Sequence, residues 1–216
     1  MRCFLVFPIL LSISLMGSGA EPKEQTIHFS KKDKGKPPTG WTVTKTGAGE
    51  GSVWKVVEDA SSPSKTGFVL AQTAESPESV FNLCVLDEGS FKDLTLSVAF
   101  KAAEGKNDQG GGLVWRYADA RNYYVARMNP LEKNLRRYKV VGGRRTQLAT
   151  KENLKSKAGS WHSLQIHMND SKVKVSLDGE VLIDATDEAF PRAGKIGLWT
   201  KSDAGTYFDD FKVQGK

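Results

Sequence analysis

The stretch Gly110–Asn129, GGGLVWRYADARNYYVARMN, sets the reading of the whole chain. Two runs of alternating character, Leu113–Tyr117 and Tyr123–Met128, flank the short polar segment Ala118–Asn122, the pattern of a β-hairpin with a five-residue loop. Side chains alternate across a strand, so Leu113, Trp115 and Tyr117 share one face and Val114 and Arg116 the other. In the second strand Tyr124, Ala126 and Met128 fall together, opposite Tyr123, Val125, Arg127 and Asn129. The hairpin is therefore expected to have one dry face and one face carrying two arginines, a tyrosine and an asparagine.

Upstream and downstream the same grammar repeats. Trp41–Thr44, Ser52–Val57, Gly67–Gln72 and Val80–Leu86 read as short strands separated by Gly, Pro and Ser clusters. In Leu94–Phe100 and in Trp161–Met168, apolar residues occupy every second position, as in antiparallel strands with one buried face. Asp178-Gly179 is a tight-turn dipeptide, because both positions tolerate positive φ, and it joins Val173–Leu177 to Val181–Asp184. Asn134–Val141, Arg144–Thr150, Gly194–Lys201 and Tyr207–Val213 complete the set. Helical periodicity is never sustained, which predicts an all-β sandwich or barrel over residues 41–216, preceded at residues 21–40 by a tether and a first strand near 26–29.

Residues 1–20 have the form of a cleaved export signal, with Arg2, an apolar run from Phe4 to Leu15, and Ser18-Gly19-Ala20 at the cleavage positions. The expected destination is secreted or periplasmic, with no transmembrane segment in the mature chain. Removing the leader takes Cys3 away and leaves Cys84 without an intrachain partner, so no disulfide framework is available and stability must come from a core. The formal charge of +6 for the full chain is a mild basic excess, compatible with acidic carbohydrate or an envelope surface; an exported chain is not expected to meet nucleic acid. His28, His162 and His167 lack the spacing of a zinc motif.

Taken in order, GGLVWRYADARNYYVARMN, LRRYKVVGGRRTQLA, GSWHSLQIHMNDSKVKVSLDGEVLIDATDEAF and GKIGLWTKSDAGTYFDDFKV resemble the concanavalin A-like, laminin-G-like jelly roll of lectins and glucanases. More narrowly they resemble secreted bacterial 3-keto-disaccharide hydrolase domains of the family-16-glycosidase-like kind. The resemblance covers about Trp41 to Val213 and implies a two-sheet antiparallel jelly-roll sandwich with a sugar held across the face of the concave sheet. It also implies, for catalysis, an E-x-D-x-x-E strand motif, which this sequence lacks: Glu58-Asp59, Asp87-Glu88 and Asp187-Glu188 have the wrong spacing.

A sugar-binding surface is therefore expected at Arg116, Tyr123, Arg127 and Asn129, with Arg137 and Lys139 joining if the next strand pairs in simple register, and with Trp199 as a stacking plane. The alternatives are that the arginines pair with acids on neighbouring strands and that the aromatics merely cover the sheet. Asp209-Asp210 can share a site only at a bulge; the laminin-G-like resemblance suggests structural calcium there. Three readings stay open: a carbohydrate-binding domain, a glycoside hydrolase for keto- or acidic disaccharides, and a non-catalytic protein-interaction module.

Overall fold

In the computed structural model residues 23–216 are described; the leader expected at 1–20 lies outside them. Fifteen strands run as β1 (Gln25–Ile27), β2 (Trp41–Thr46), β3 (Trp54–Glu58), β4 (Phe68–Gln72), β5 (Phe81–Leu86), β6 (Leu94–Glu104), β7 (Gly111–Asp119), β8 (Asn122–Asn129), β9 (Asn134–Val141), β10 (Arg144–Lys151), β11 (Trp161–Asn169), β12 (Lys172–Leu177), β13 (Glu180–Thr186), β14 (Lys195–Lys201) and β15 (Gly205–Gly215). They form two antiparallel sheets. The first has the order β13-β12-β11-β6-β15-β4-β3, with β1 also paired to β15, and the second the order β10-β9-β8-β7-β14-β5-β2. Of the sandwich or barrel that the strand pattern allows, this is the sandwich, the jelly roll that the resemblance implies.

The first strand expected near 26–29 falls at Gln25–Ile27 and is joined to the sandwich. Gln25–Ile27 pair with Phe211–Val213, and Phe29 packs in the core beside Trp41. The hairpin that opens the sequence reading is tighter than expected, since Asp119 pairs with Asn122 and only Ala120 and Arg121 turn the chain. Asp178 and Gly179 both take positive φ, 51° and 85°, as their turn requires.

The two sheets differ in how they meet water. In β6 and β11 buried and more exposed positions alternate, so the outer face of the eight-stranded sheet is wetted. In β5 and β8 nearly every residue is buried, on both faces. Leu113, Trp115, Tyr124, Met128 and Leu198 face the sheet opposite and join the main core with Leu96, Phe100, Ile166 and Phe208. Phe81, Leu83, Val114, Tyr123, Val125, Tyr138 and Trp199 form a second apolar cluster on the far side.

That second cluster is dry because the seven-stranded sheet is rolled. β10 and β5 are five strand spacings apart, roughly 24 Å if the sheet were flat. The guanidinium of Arg145 on β10 nevertheless lies 4.8 Å from the ring centroid of Phe81 on β5. At the end of the roll the Tyr123 hydroxyl is 2.7 Å from Thr46 Oγ1, joining β8 to the distant edge strand β2. Gly112 lies on the inside of this curve, where a Cβ would meet the Ala126 carbonyl oxygen at 1.9 Å, so only glycine permits the approach. The seven-stranded sheet is thus the concave one.

Candidate functional site

The β8–β9 register pairs Tyr123 with Val140, Val125 with Tyr138 and Arg127 with Arg136. Paired residues share a face, so Arg136 and Tyr138 join Arg127 on the concave side. The turn between the strands supplies Glu132, whose Oε2 accepts hydrogen bonds from Arg127 Nη2 at 2.7 Å, Arg136 Nη1 at 3.1 Å and Asn134 Nδ2 at 3.2 Å. Arg127 also donates to Asn134 Oδ1 and to the Tyr138 hydroxyl, so its buried guanidinium is fully engaged. Burial pushes the Glu132 carboxyl up; the charge of Arg127 and the hydrogen bonds from Arg127 and Asn134 outweigh it and hold the group below its ordinary value.

A second carboxylate stands beside the first. Asp108 Oδ1 accepts from Asn129 Nδ2 at 2.8 Å and Oδ2 from Lys201 Nζ at 2.9 Å, while Asn129 Oδ1 accepts the backbone N–H of Glu132 at 3.0 Å. Here burial prevails over Lys201 and Arg127, and the Asp108 carboxyl is raised. The two acids therefore have pKa values pushed in opposite directions, an arrangement that separates an acid from a base.

Asp108 is held by its loop as well as by its partners. Both Asp203 oxygens collect the consecutive backbone N–H groups of Lys106, Asn107 and Asp108, at 2.8 to 3.2 Å. These bonds outweigh burial and depress the Asp203 carboxyl. A group depressed in the folded state contributes stability above its unfolded pKa and loses it as pH falls through the folded one. Acidification below about pH 4 is thus expected to loosen residues 105–109 first; amide exchange of Lys106, Asn107 and Asp108 that accelerates no more than that of β6 would count against this clamp.

On the other flank Arg145 lies over Tyr138, Phe81 and Trp199, at 4.4, 4.8 and 5.8 Å from the ring centroids. Arg145 Nη1 is buried with no hydrogen-bond partner among the described residues. One guanidinium donor on this face thus remains unused.

Four of the residues expected at the site, Tyr123, Arg127, Asn129 and Trp199, lie on this concave side; Arg116 and, because β9 runs in the opposite phase, Arg137 and Lys139 do not. Arg116 sits in a bulge with φ of 45°, and the irregularity between Trp115 and Asp119 breaks the alternation. Its guanidinium donates to the carbonyls of Lys92, Asp170 and Phe190, while Tyr117 takes the concave face and stacks on Tyr123 at 6.0 Å. Lys139 pairs with Tyr124 and so faces the other sheet, where it donates to Asp187 Oδ2 at 2.9 Å. Asp108, Glu132, Arg136, Tyr138, Arg145 and Lys201 are the residues that strand alternation in one hairpin misses. The signal for Arg136 and Tyr138 is the opposite phase of β9; Asp108 and Glu132 come from turns.

Asp209 and Asp210 do share a bulge, where Asp210 has φ of 49°, and His28 Nδ1 lies 3.0 Å from Asp210 Oδ1. Ligand atoms of the three residues fall within 4.8 Å of one another. The donor set does not fit calcium, which takes six to eight oxygens. Asp209 Oδ2 is used by the Ser64 N–H and hydroxyl at 3.0 and 2.7 Å, its Oδ1 by the Asp210 N–H at 2.9 Å, and a ring nitrogen completes the group. The bulge ties the Ser64 loop and the N-terminal segment to β15.

No curated protein sequence matches the chain. Among solved structures, the carbohydrate-binding module CBM66 from Bacillus subtilis superposes with a TM-score of 0.65 at 20% identity, covering 82% of this chain and 96% of that one. The carbohydrate recognition domain of Emp47p gives 0.56 at 14% identity, over 92% and 99% of the two chains. The exoplasmic/lumenal domain of VIP36, in its form bound to Ca2+ and Man3GlcNAc, gives 0.55 at 12% identity, over 82% and 84%. These likenesses establish a shared fold. The family model for the 3-keto-alpha-glucoside-1,2-lyase-like domain matches residues 31–214, nearly the whole described chain, and the protein belongs to that family.

Proposed function

We propose that the chain is an exported carbohydrate-binding domain that holds a glycan on the concave face of its seven-stranded sheet. The observation that carries this is the convergence there of Arg127, Arg136, Arg145 and Lys201 with Asp108, Glu132, Tyr138 and Trp199, leaving a guanidinium donor of Arg145 without a partner among the described residues. Vicinal hydroxyls are recognised by such alternating charged donors and acceptors, and a carboxylate by the planar fork of arginine. Among the described residues Arg145 has no ion-pair partner, so an acidic sugar is favoured over a neutral one. The leader at residues 1–20 supports export, and among the described residues no helix is long and apolar enough to cross a membrane.

Calorimetric titration against neutral and uronic-acid glycans tests the reading. Arg136→Ala removes a half-exposed donor without emptying the core and is expected to weaken binding about tenfold, the loss of one charge-assisted hydrogen bond. A wild-type protein that binds no glycan sinks the proposal.

A second reading rests on the divergent pKa values of Asp108 and Glu132. Elimination from a 3-keto-glucoside needs a base to take the C2 proton, acidified by the neighbouring carbonyl. The C2–H electrons then form the C1–C2 double bond, the C1–O bond breaks, and an acid protonates the departing oxygen. Glu132, held ionised, fits the base, and Asp108, held up, fits the acid. Glu132→Gln and Asp108→Asn are each expected to lower turnover by at least about a hundredfold. Unchanged release of the leaving sugar from either variant would remove this reading and leave binding intact.

A further inference from the structure

The apolar floor of the concave face is built as a platform, yet it is not open. Phe81 and Trp199 lie 5.4 Å apart, Tyr138 closes the third side, and all three are nearly fully buried. What covers them is the guanidinium of Arg145. The neighbouring arginines are tied down, Arg127 by Glu132, Asn134 and Tyr138, and Arg136 by Glu132 and Glu152. Arg145 has no such anchor. Among the described residues it makes no salt bridge or side-chain hydrogen bond, and its Nη1 is buried without a partner. Its strand, β10, is the edge of the sheet, half-exposed along its length and irregular between Gln147 and Ala149.

A planar cation on aromatic faces occupies the same position that the apolar face of a pyranose ring takes when it stacks on indole or phenol. We propose that Arg145 is a displaceable cover over the Phe81–Tyr138–Trp199 platform, exchanged for the ring of a bound sugar and then turned to present its guanidinium to that sugar's acceptor oxygens. Arg145 thereby determines specificity: a neutral sugar must displace it, whereas an acidic sugar recruits it. The inference rests on the carbohydrate reading for the identity of the displacing ring. The cover itself rests on geometry alone.

Tryptophan quenching separates the two parts. Trp161 is the half-exposed tryptophan; the other four are buried, so acrylamide is expected to quench a Trp161→Phe protein poorly. Adding Arg145→Ala should make one of the four remaining indoles, Trp199, accessible, while Arg145→Met, which keeps a long side chain over the rings without the charge, should not. Quenching that stays low in the alanine variant overturns the cover. Titration by nuclear magnetic resonance then uses methyl α-glucoside and the corresponding methyl glucuronide as probes. Arg145→Ala should bind the neutral probe at least threefold more tightly and the acidic one at least threefold more weakly. Equal weakening of both would make Arg145 a fixed ligand contact and overturn displacement. Accessible Trp199 with neither sugar bound by the wild type would overturn displacement by sugar together with the carbohydrate reading.

Discussion

Replacing Arg137 with methionine is expected to stabilise the protein, by about 1 to 4 kcal/mol. Arg137 lies on β9 opposite Ala126 and Ala149, on the side facing the other sheet, and is fully buried. None of its three side-chain nitrogens has a hydrogen-bond partner among the described residues. Its guanidinium rests on the Tyr124 ring, 5.2 Å from the centroid, which compensates part of the lost hydration. The nearby carboxylate, Asp187, is already used: Oδ1 accepts from the Tyr124 hydroxyl at 2.5 Å and the Ala189 N–H at 2.9 Å, and Oδ2 from Lys139. Burial lowers the Arg137 pKa, but arginine does not discharge at any pH a folded protein tolerates, so the charge stays. Methionine follows the same stem and removes the unpaired charge. At roughly 2 to 4 °C per kcal/mol for a domain of this size, the shift is readable by calorimetry as well as by urea. Loss of stability in the methionine variant would mean that the guanidinium makes bonds within the sandwich worth more than its desolvation.

Asp108→Ala is expected to act in the opposite direction, costing about 3 to 5 kcal/mol. The substitution leaves Lys201 and Asn129 without their shared acceptor in a place that water reaches poorly. It also removes the anchor that the loop 105–109 makes with the concave sheet, leaving only Asp203 to hold it. Asparagine keeps one acceptor and the shape of the side chain, so Asp108→Asn should cost clearly less. The raised carboxyl adds a pH signature of its own. A carboxyl raised in the folded state is bound to its proton more tightly there than in the unfolded chain, so its ionisation costs stability as pH rises from the unfolded value through the folded one. Asp203 has the opposite sign, and the two should partly cancel in the acid limb of the wild-type curve. In Asp108→Asn the Asp203 contribution remains, and stability should fall more steeply on acidification than in the wild type. An unchanged slope in urea titrations at successive pH values would disprove the opposition.

The fold was legible because its strands obey simple rules over most of their length. Leu94 to Phe100 and His162 to Met168 alternate without interruption, and Asp178-Gly179 specifies its turn by backbone conformation alone. The site was legible only where alternation is regular. Tyr123, Arg127 and Asn129 fall on the expected face because β8 has no bulge, whereas Arg116 leaves that face because its left-handed residue inserts an extra step. Lys139 was assigned the wrong phase: a turn of four residues, Pro130 to Lys133, fixes which half of β9 meets Arg127, and strand periodicity carries no information about that offset. Asp108, Glu132 and Lys201 come together from a loop, a turn and a strand end far apart in the chain. Nothing in their local sequence distinguishes them from solvated charges.

The positions of β14 and β15 matter for how the protein is made. Each lies in the interior of its sheet: β14 is wedged between β7 and β5, and β15 between β6 and β4. Until residues 195 to 215 have joined, β5, β7, β4 and β6 each expose an unsatisfied edge, and both halves of each sheet lack the strand that joins them. The chain therefore cannot mature from its N-terminal end in stages. Closure over such long sequence separations is slow, in the range of milliseconds to seconds for sandwiches of this kind, and the waiting intermediates carry open strand edges that pair readily with other copies. Removing residues 195 to 215 would not trim a peripheral strand but would leave each sheet in two halves with no hydrogen-bonded seam between them.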